Sequence, residues 1–137
     1  MFQFLDHPSD AYVEVTAISV EEVFQDAATA LFEIMTDTTS FIPEEDFQIR
    51  VESPDRSLLL IDWLNRLVLL HELEKVFLCS FRVKIQQTKN WKLTAVVTGE
   101  RIKEKHEKRS QVKSVTLGLF EWNEEANGHR VRFLVDI

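Results

Sequence analysis

Cysteine is almost absent. Cys79 stands alone, which excludes an internal disulfide and a thiolate metal cluster. Glycine and proline number three each, too few for a collagen-like or low-complexity chain. Long apolar runs are missing too: stretches such as Leu58–Ile61 and Leu67–Leu70 fall far short of the roughly 20 residues that span a bilayer. No basic region followed by an apolar stretch opens the chain at Met1–Asp6, so no signal peptide is expected and a cytoplasmic location is. There is no Gly-rich phosphate loop and no zinc-spaced Cys/His set. His71-Glu72 and His106-Glu107 each look like half of a zinc-protease helix motif, but neither has a second His four residues on. Positive charge is the scarcer sign. A net charge of −7 argues against a general polyanion binder.

What is present fits one domain over residues 1–137. Apolar residues make up 45% of the chain, enough for a sizeable core without staples. Ser19-Val20-Glu21-Glu22 fits a helix-capping box, after which Val20, Val23, Phe24, Ala27, Leu31, Ile34 and Met35 fall on one face. A second helix is expected from Ser53-Pro54-Asp55, with Pro54 in the first turn, through Leu58 to His71. It is apolar around most of its circumference and should be covered on two sides. Six segments alternate as half-buried strands: Tyr12–Ala17, Phe47–Glu52, Val76–Gln86, Lys92–Thr98, Val112–Phe120 and Arg130–Val135. Phe2–Leu5 is a seventh, shorter candidate, and Asn127-Gly128 signals a hairpin before the last strand. The fold class is therefore α+β, a largely antiparallel or mixed sheet packed in two layers against two main helices.

Chemistry can reside in three places. Asp6-His7-Pro8-Ser9-Asp10 is a polar cluster between apolar strands, readable as a turn or as an oxygen-donor site for a hard cation. Asp136-Ile137 sets a carboxylate beside the chain end, readable as a solvated terminus or as an anionic cluster awaiting a positive partner. Arg101–Lys113 holds six Lys/Arg and two Glu, a local +4 against −11 for the rest. It reads as a solvated loop or as a docking loop for an acidic partner or RNA phosphate. Cys79, in a strand, reads as a buried structural thiol.

Taken together, these stretches resemble the archease family over nearly the whole length. The matching residues are Phe4–Asp10, Ser19–Ala28 continuing through Ala30–Asp37, Leu58–Asn65, His106-Glu107, Val112–Thr116 and Asp136-Ile137. Three positions depart from the family pattern: Pro8-Ser9 stands for the usual Thr-Ala, Ala11-Tyr12 for an apolar residue and glycine, and Leu117-Gly118 for Tyr-His. The resemblance implies a non-enzymatic activator of the RtcB-type RNA ligase in tRNA splicing and RNA repair, one that promotes guanylylation and multiple turnover. It also implies a divalent metal, calcium above all, bound by Asp10, Asp136 and the main-chain carboxylate or carbonyl of Ile137. His7, His106 and Lys113 would lie near the partner or its nucleotide, with any RNA contact indirect or weak and no membrane partner. Two other readings remain open: a metal-dependent phosphoesterase or nuclease with His7 as the candidate base, and a general chaperone-like binding module.

Overall fold

The fold is known from a computed structural model that describes residues 1–7 and 9–137; Pro8, in the first polar cluster, lies outside the described residues. In chain order the elements are β1 (Phe2–Leu5), β2 (Ala11–Ala17), α1 (Val20–Met35), β3 (Glu45–Ser53), α2 (Arg56–Glu74), β4 (Val76–Gln87), β5 (Trp91–Arg101), β6 (Ser114–Glu125) and β7 (Gly128–Asp136). The α+β expectation holds, and every strand pair is antiparallel. The strands divide into two sheets, β1-β2-β7-β6 and β3-β5-β4.

Both helices start where their caps dictate. The Ser19 hydroxyl accepts the Glu22 N–H at 3.2 Å, while the Glu22 carboxylate reaches back one residue beyond the cap, to the Ile18 N–H at 3.4 Å. At α2 the Asp55 carboxylate accepts the Leu58 N–H at 2.8 Å, so Pro54 precedes the cap rather than lying in the first turn. Helix α1 buries Val23, Phe24, Ala27, Leu31 and Ile34 as its spacing requires. Helix α2 buries Leu59, Leu60, Trp63, Leu64 and Leu67, with Trp63 donating its indole N–H to the Phe24 carbonyl at 3.0 Å. It contacts both sheets, which explains its broad apolar circumference, and leaves only Leu69 and Leu73 strongly exposed among its large apolar residues.

The last hairpin turns one residue earlier than the Asn127-Gly128 signal implies. Glu125 pairs with Gly128, leaving Ala126-Asn127 as the loop. Gly128 has φ +144°, and a Cβ there would stand 2.3 Å from the Ala17 carbonyl oxygen, so glycine is required. Strand β6 begins at Ser114 instead of Val112 and runs on to Glu125 through a wide bulge. Thr116 pairs with Leu134 and Glu121 with Arg132, which leaves Leu117–Phe120 facing a single residue of β7. Lone Cys79 sits at a smaller bulge in β4, where burial pushes its thiol up.

Asn65 joins α2 to the start of β6. Its side-chain amide accepts the Val115 N–H at 2.8 Å and donates to the Val115 carbonyl at 2.9 Å, the pattern a neighbouring strand would offer. Replacing Asn65 with Ala removes both bonds and leaves a backbone pair without partners. We expect a loss of about 1–3 kcal/mol in urea unfolding, with hydrogen exchange at Val115 accelerating more than in the β2–β7 ladder.

Candidate functional site

Asp10 and Asp136 come to the same end of the four-stranded sheet. Strand β2 pairs with β7 from Ala17 opposite His129 to Ala11 opposite Val135. Asp10 and Asp136 are the next residues beyond that last pair. On the other side Asp136 pairs with Ser114, and its carbonyl accepts the Lys113 N–H at 2.8 Å. Asp10, Asp136, Ile137 and Lys113 therefore gather at one sheet end, although they come from opposite ends of the sequence. Ile137 and Lys113 are exposed and Asp10 and Asp136 half-buried.

His7 belongs to the same place. Its Nδ1 is enclosed, has no hydrogen-bond partner among the described residues, and stands 3.8 Å from a carboxylate oxygen of Asp10. The ring leans on Tyr12, with centroids 6.1 Å apart. Tyr12 in turn reaches over β7 to donate its hydroxyl to the Leu119 carbonyl in the β6 bulge, at 2.7 Å. Leu119 has φ +57°, an uncommon backbone for a branched residue, and this bond holds the carbonyl that the bend presents. Tyr12 thus organises the rim; as the chain's only tyrosine it was visible in the sequence, but its partner lies 107 residues away.

Among the described residues no three His, Cys, Asp or Glu side chains stand close enough to hold a metal ion. A cation site at this end would comprise two side-chain carboxylates and a main-chain oxygen of Ile137. That donor set is hard and anionic, as calcium or another hard divalent cation requires. The partnerless Nδ1 of His7 is a further polar atom facing the cluster.

His106 goes elsewhere. It is buried: its Nδ1 accepts the Lys103 N–H at 2.8 Å, so Nε2 carries the proton and donates to the Glu100 carboxylate at 2.8 Å. Both ring nitrogens are occupied, and the ring is packed between Phe41 and Phe77. An unfolding of the loop would be needed before this ring touched a partner.

The basic segment is likewise spoken for. Lys103 pairs with Glu44 and Glu100, Lys105 with Glu100, Arg101 with Glu45 and Glu74, and Arg109 with Glu33 and Glu107. Within it Lys108 and Lys113 form no ion pair among the described residues. The segment instead closes the end of α1. The Ser110 and Arg109 N–H groups bond the carbonyls of Ile34 and Met35 at 3.1 and 2.8 Å, and the Arg109 guanidinium bonds the Glu33 carbonyl at 2.9 Å. Helix α1 has no basic residue in its own last turn, so the segment supplies both the donors and the positive charge that a helix C-terminus favours.

Glu100 anchors this arrangement with no exposed surface. Burial alone would push its carboxyl up, but hydrogen bonds from Lys105, His106 and the Ile42 N–H, with the Lys105 charge, bring it down to about 2. A carboxyl held below its unfolded value contributes stability above about pH 4.5 that disappears as pH falls through about 2. We expect the Lys103–Ser110 segment to open in this window, measured as loss of amide protection at His106 and Arg109. Glu100→Gln should flatten that acid limb and lower stability at pH 7.

The family model described as "Archease protein family (MTH1598/TM1083)" matches residues 2–137. Protein archease of Methanothermobacter thermautotrophicus is 38% identical over 137 residues, covering 99% of this chain and 98% of that protein. Protein archease of Methanosarcina mazei is 31% identical over 139 residues, covering 99% and 95%. The solution structure of Methanobacterium thermoautotrophicum protein 1598 superposes with a TM-score of 0.88 at 38% identity, covering 99% and 98%. The crystal structure of a Thermotoga maritima protein, described as an archease and possible chaperone, shares the fold with a TM-score of 0.67 at 17% identity, covering 97% and 94%. The resemblance carried by Phe4–Asp10, the two helices and Asp136-Ile137 thus extends along the whole chain, which belongs to the archease family.

Proposed function

We propose that this protein is a non-catalytic activator of an RtcB-type RNA ligase, promoting its guanylylation and turnover through a divalent-metal centre at Asp10, Asp136 and Ile137. The observation that carries the reading is the β2–β7 register, which ends at Ala11 opposite Val135 and so brings the next residues, Asp10 and Asp136, to the same sheet end. Two carboxylates held side by side repel, and a cation between them relieves that repulsion. When bound, calcium would also keep some of its roughly 6–8 oxygen positions open to ligands from a partner. Asp10 and Asp136 would hold the ion, with Ile137 adding a main-chain oxygen. Lys113 would stand beside it, its backbone fixed to Asp136 and its ammonium free to meet a phosphate. A hydrolytic reading would make His7 the base; its ring leans on Tyr12 and its Nδ1 stands 3.8 Å from Asp10.

The test is guanylylation of the cognate ligase in single-turnover format. Wild-type protein should accelerate it; Asp10→Ala and Asp136→Ala should not, while keeping a wild-type circular dichroism spectrum. Calcium at 100 times its dissociation constant should stabilise the wild type by about 2.7 kcal/mol and neither variant. In chelator the variants should melt at or above the wild-type temperature, because a carboxylate repulsion is gone. Normal acceleration by either variant overturns the metal centre. If no acceleration occurs and many unfolded clients are held instead, the possible-chaperone description of the Thermotoga maritima relative is the better one. Lys113→Ala should lower the rate even at saturating protein; an unchanged saturating rate removes that lysine from the contact.

A further inference from the structure

The outer faces of the two sheets treat their cations in opposite ways. On the four-stranded sheet the arginines are matched: Arg132 with Glu14 and Glu121, Arg130 with Glu125. On the outer face of the three-stranded sheet, Arg50, Arg82, Lys84 and Lys92 are all exposed and form no ion pair among the described residues. Strand register stacks them into rows. Arg50 of β3 lies across from Thr94 of β5, and Thr94 across from Lys84 of β4. The next row reads Gln48, Val96 and Arg82. Acidic residues stand only at the margins of this face, where Asp46 is held by Thr98 and Glu52 by Asn90. The two central rows form a shallow depression of about 360 Å³. Three bare cations in two adjacent rows, on a chain of net charge −7, are a departure that the fold itself does not need.

We infer that this sheet face binds the phosphodiester backbone of RNA. Arginine, lysine, threonine and glutamine are the side chains that contact phosphate oxygens. The face carries no aromatic ring and only Val96 as an apolar side chain. It therefore lacks the buried aromatic or aliphatic anchor on which protein interfaces depend. It also lacks a platform on which bases would stack, so its hold on the strand rests on the backbone phosphates and depends strongly on salt. The negative remainder of the molecule confines the attraction to this one face. The choice of RNA over another phosphate polymer rests on the proposed role with an RNA ligase. The phosphate contact itself does not, and the assay contains no ligase, so either reading can fail alone.

The experiment is fluorescence anisotropy of a fluorescein-labelled 20-nucleotide oligouridylate with the full chain, from 20 to 200 mM KCl. Wild-type affinity should fall steeply with salt. The double variant Arg50→Gln/Lys84→Gln should bind at least fivefold more weakly at 20 mM, and its log–log salt slope should be shallower by about 1.4, the value for two neutralised single-strand phosphates. The control Lys75→Gln/Arg130→Gln makes the same change in net charge away from this sheet and should stay within twofold of wild type. Unchanged circular dichroism and melting confirm that the variants fold. Equal losses in both doubles, no wild-type binding at 20 mM, or tighter binding of a poly-glutamate of equal charge would each overturn the assignment. The last outcome would mark an acidic-protein surface.

Discussion

The pairing of β2 with β7 is the constraint from which the rest of the candidate site follows. It joins the first third of the chain to its last strand through an unbroken register from Ala17–His129 to Ala11–Val135. Val13, Val15, Val131, Phe133 and Val135 on its inner face are fully buried against the helices. Because strand side chains alternate, a slip of one residue would turn this whole set outward, so the apolar face fixes the register. On the outer face the Glu14 carboxylate takes Arg132 at 2.7 Å and Gln3 at 2.7 Å, which lowers its pKa and reinforces the same alignment. The meeting of both aspartates at one sheet end is thus a consequence of core packing.

Charge in this chain is sorted by space, not by sequence. The Arg101–Lys113 segment is the most basic stretch along the chain, yet Arg101, Lys103, Lys105 and Arg109 are taken up by Glu33, Glu44, Glu45, Glu74 and Glu100. What it achieves is closure of α1 and burial of the His106–Glu100 pair. A buried carboxylate stripped of those partners would be strongly destabilising, so the segment is held as a unit. Arg50, Arg82, Lys84 and Lys92, which form no ion pair among the described residues, share one sheet face but are spread over three strands and never form a run.

How much of this was legible depends on the distance over which each signal acts. The capping box at Ser19, the cap at Asp55 and the helical spacing of α1 are local, and the structure follows them within a residue or so. Alternation located all seven strands, but it could not say that they form two sheets, because pairing is set by which apolar faces meet the helices. The departures are equally physical. Val112 is buried ahead of β6 rather than within it, and the β6 bulge has no marker beyond Gly118. Asp10 and Asp136 were singled out as carboxylates, and only the register placed them together. His106 was singled out with them; its partner Glu100 six residues earlier ends a regular strand and gave no sign of being buried. Arg50, Arg82, Lys84 and Lys92 occupy ordinary solvent-side positions of three alternating segments.

The outer edge of the four-stranded sheet shows how stability and access are reconciled beside the carboxylates. Strand β6 is unpaired along one side, and an unprotected edge invites pairing with another chain. Three features blunt it. The Asn65 amide occupies the edge at Val115, the bulge at Leu117–Phe120 interrupts the ladder, and Tyr12 pins the bulge through the Leu119 carbonyl. Here the family's usual Tyr-His is replaced by Leu117-Gly118, and Leu117 and Leu119 are left exposed. The bulge is thus apolar and carries no titratable group of its own, so the polar chemistry of this sheet end must come from β2, β7 and Lys113. His7, packed on the same Tyr12 that holds the bulge, is the imidazole that remains at the rim.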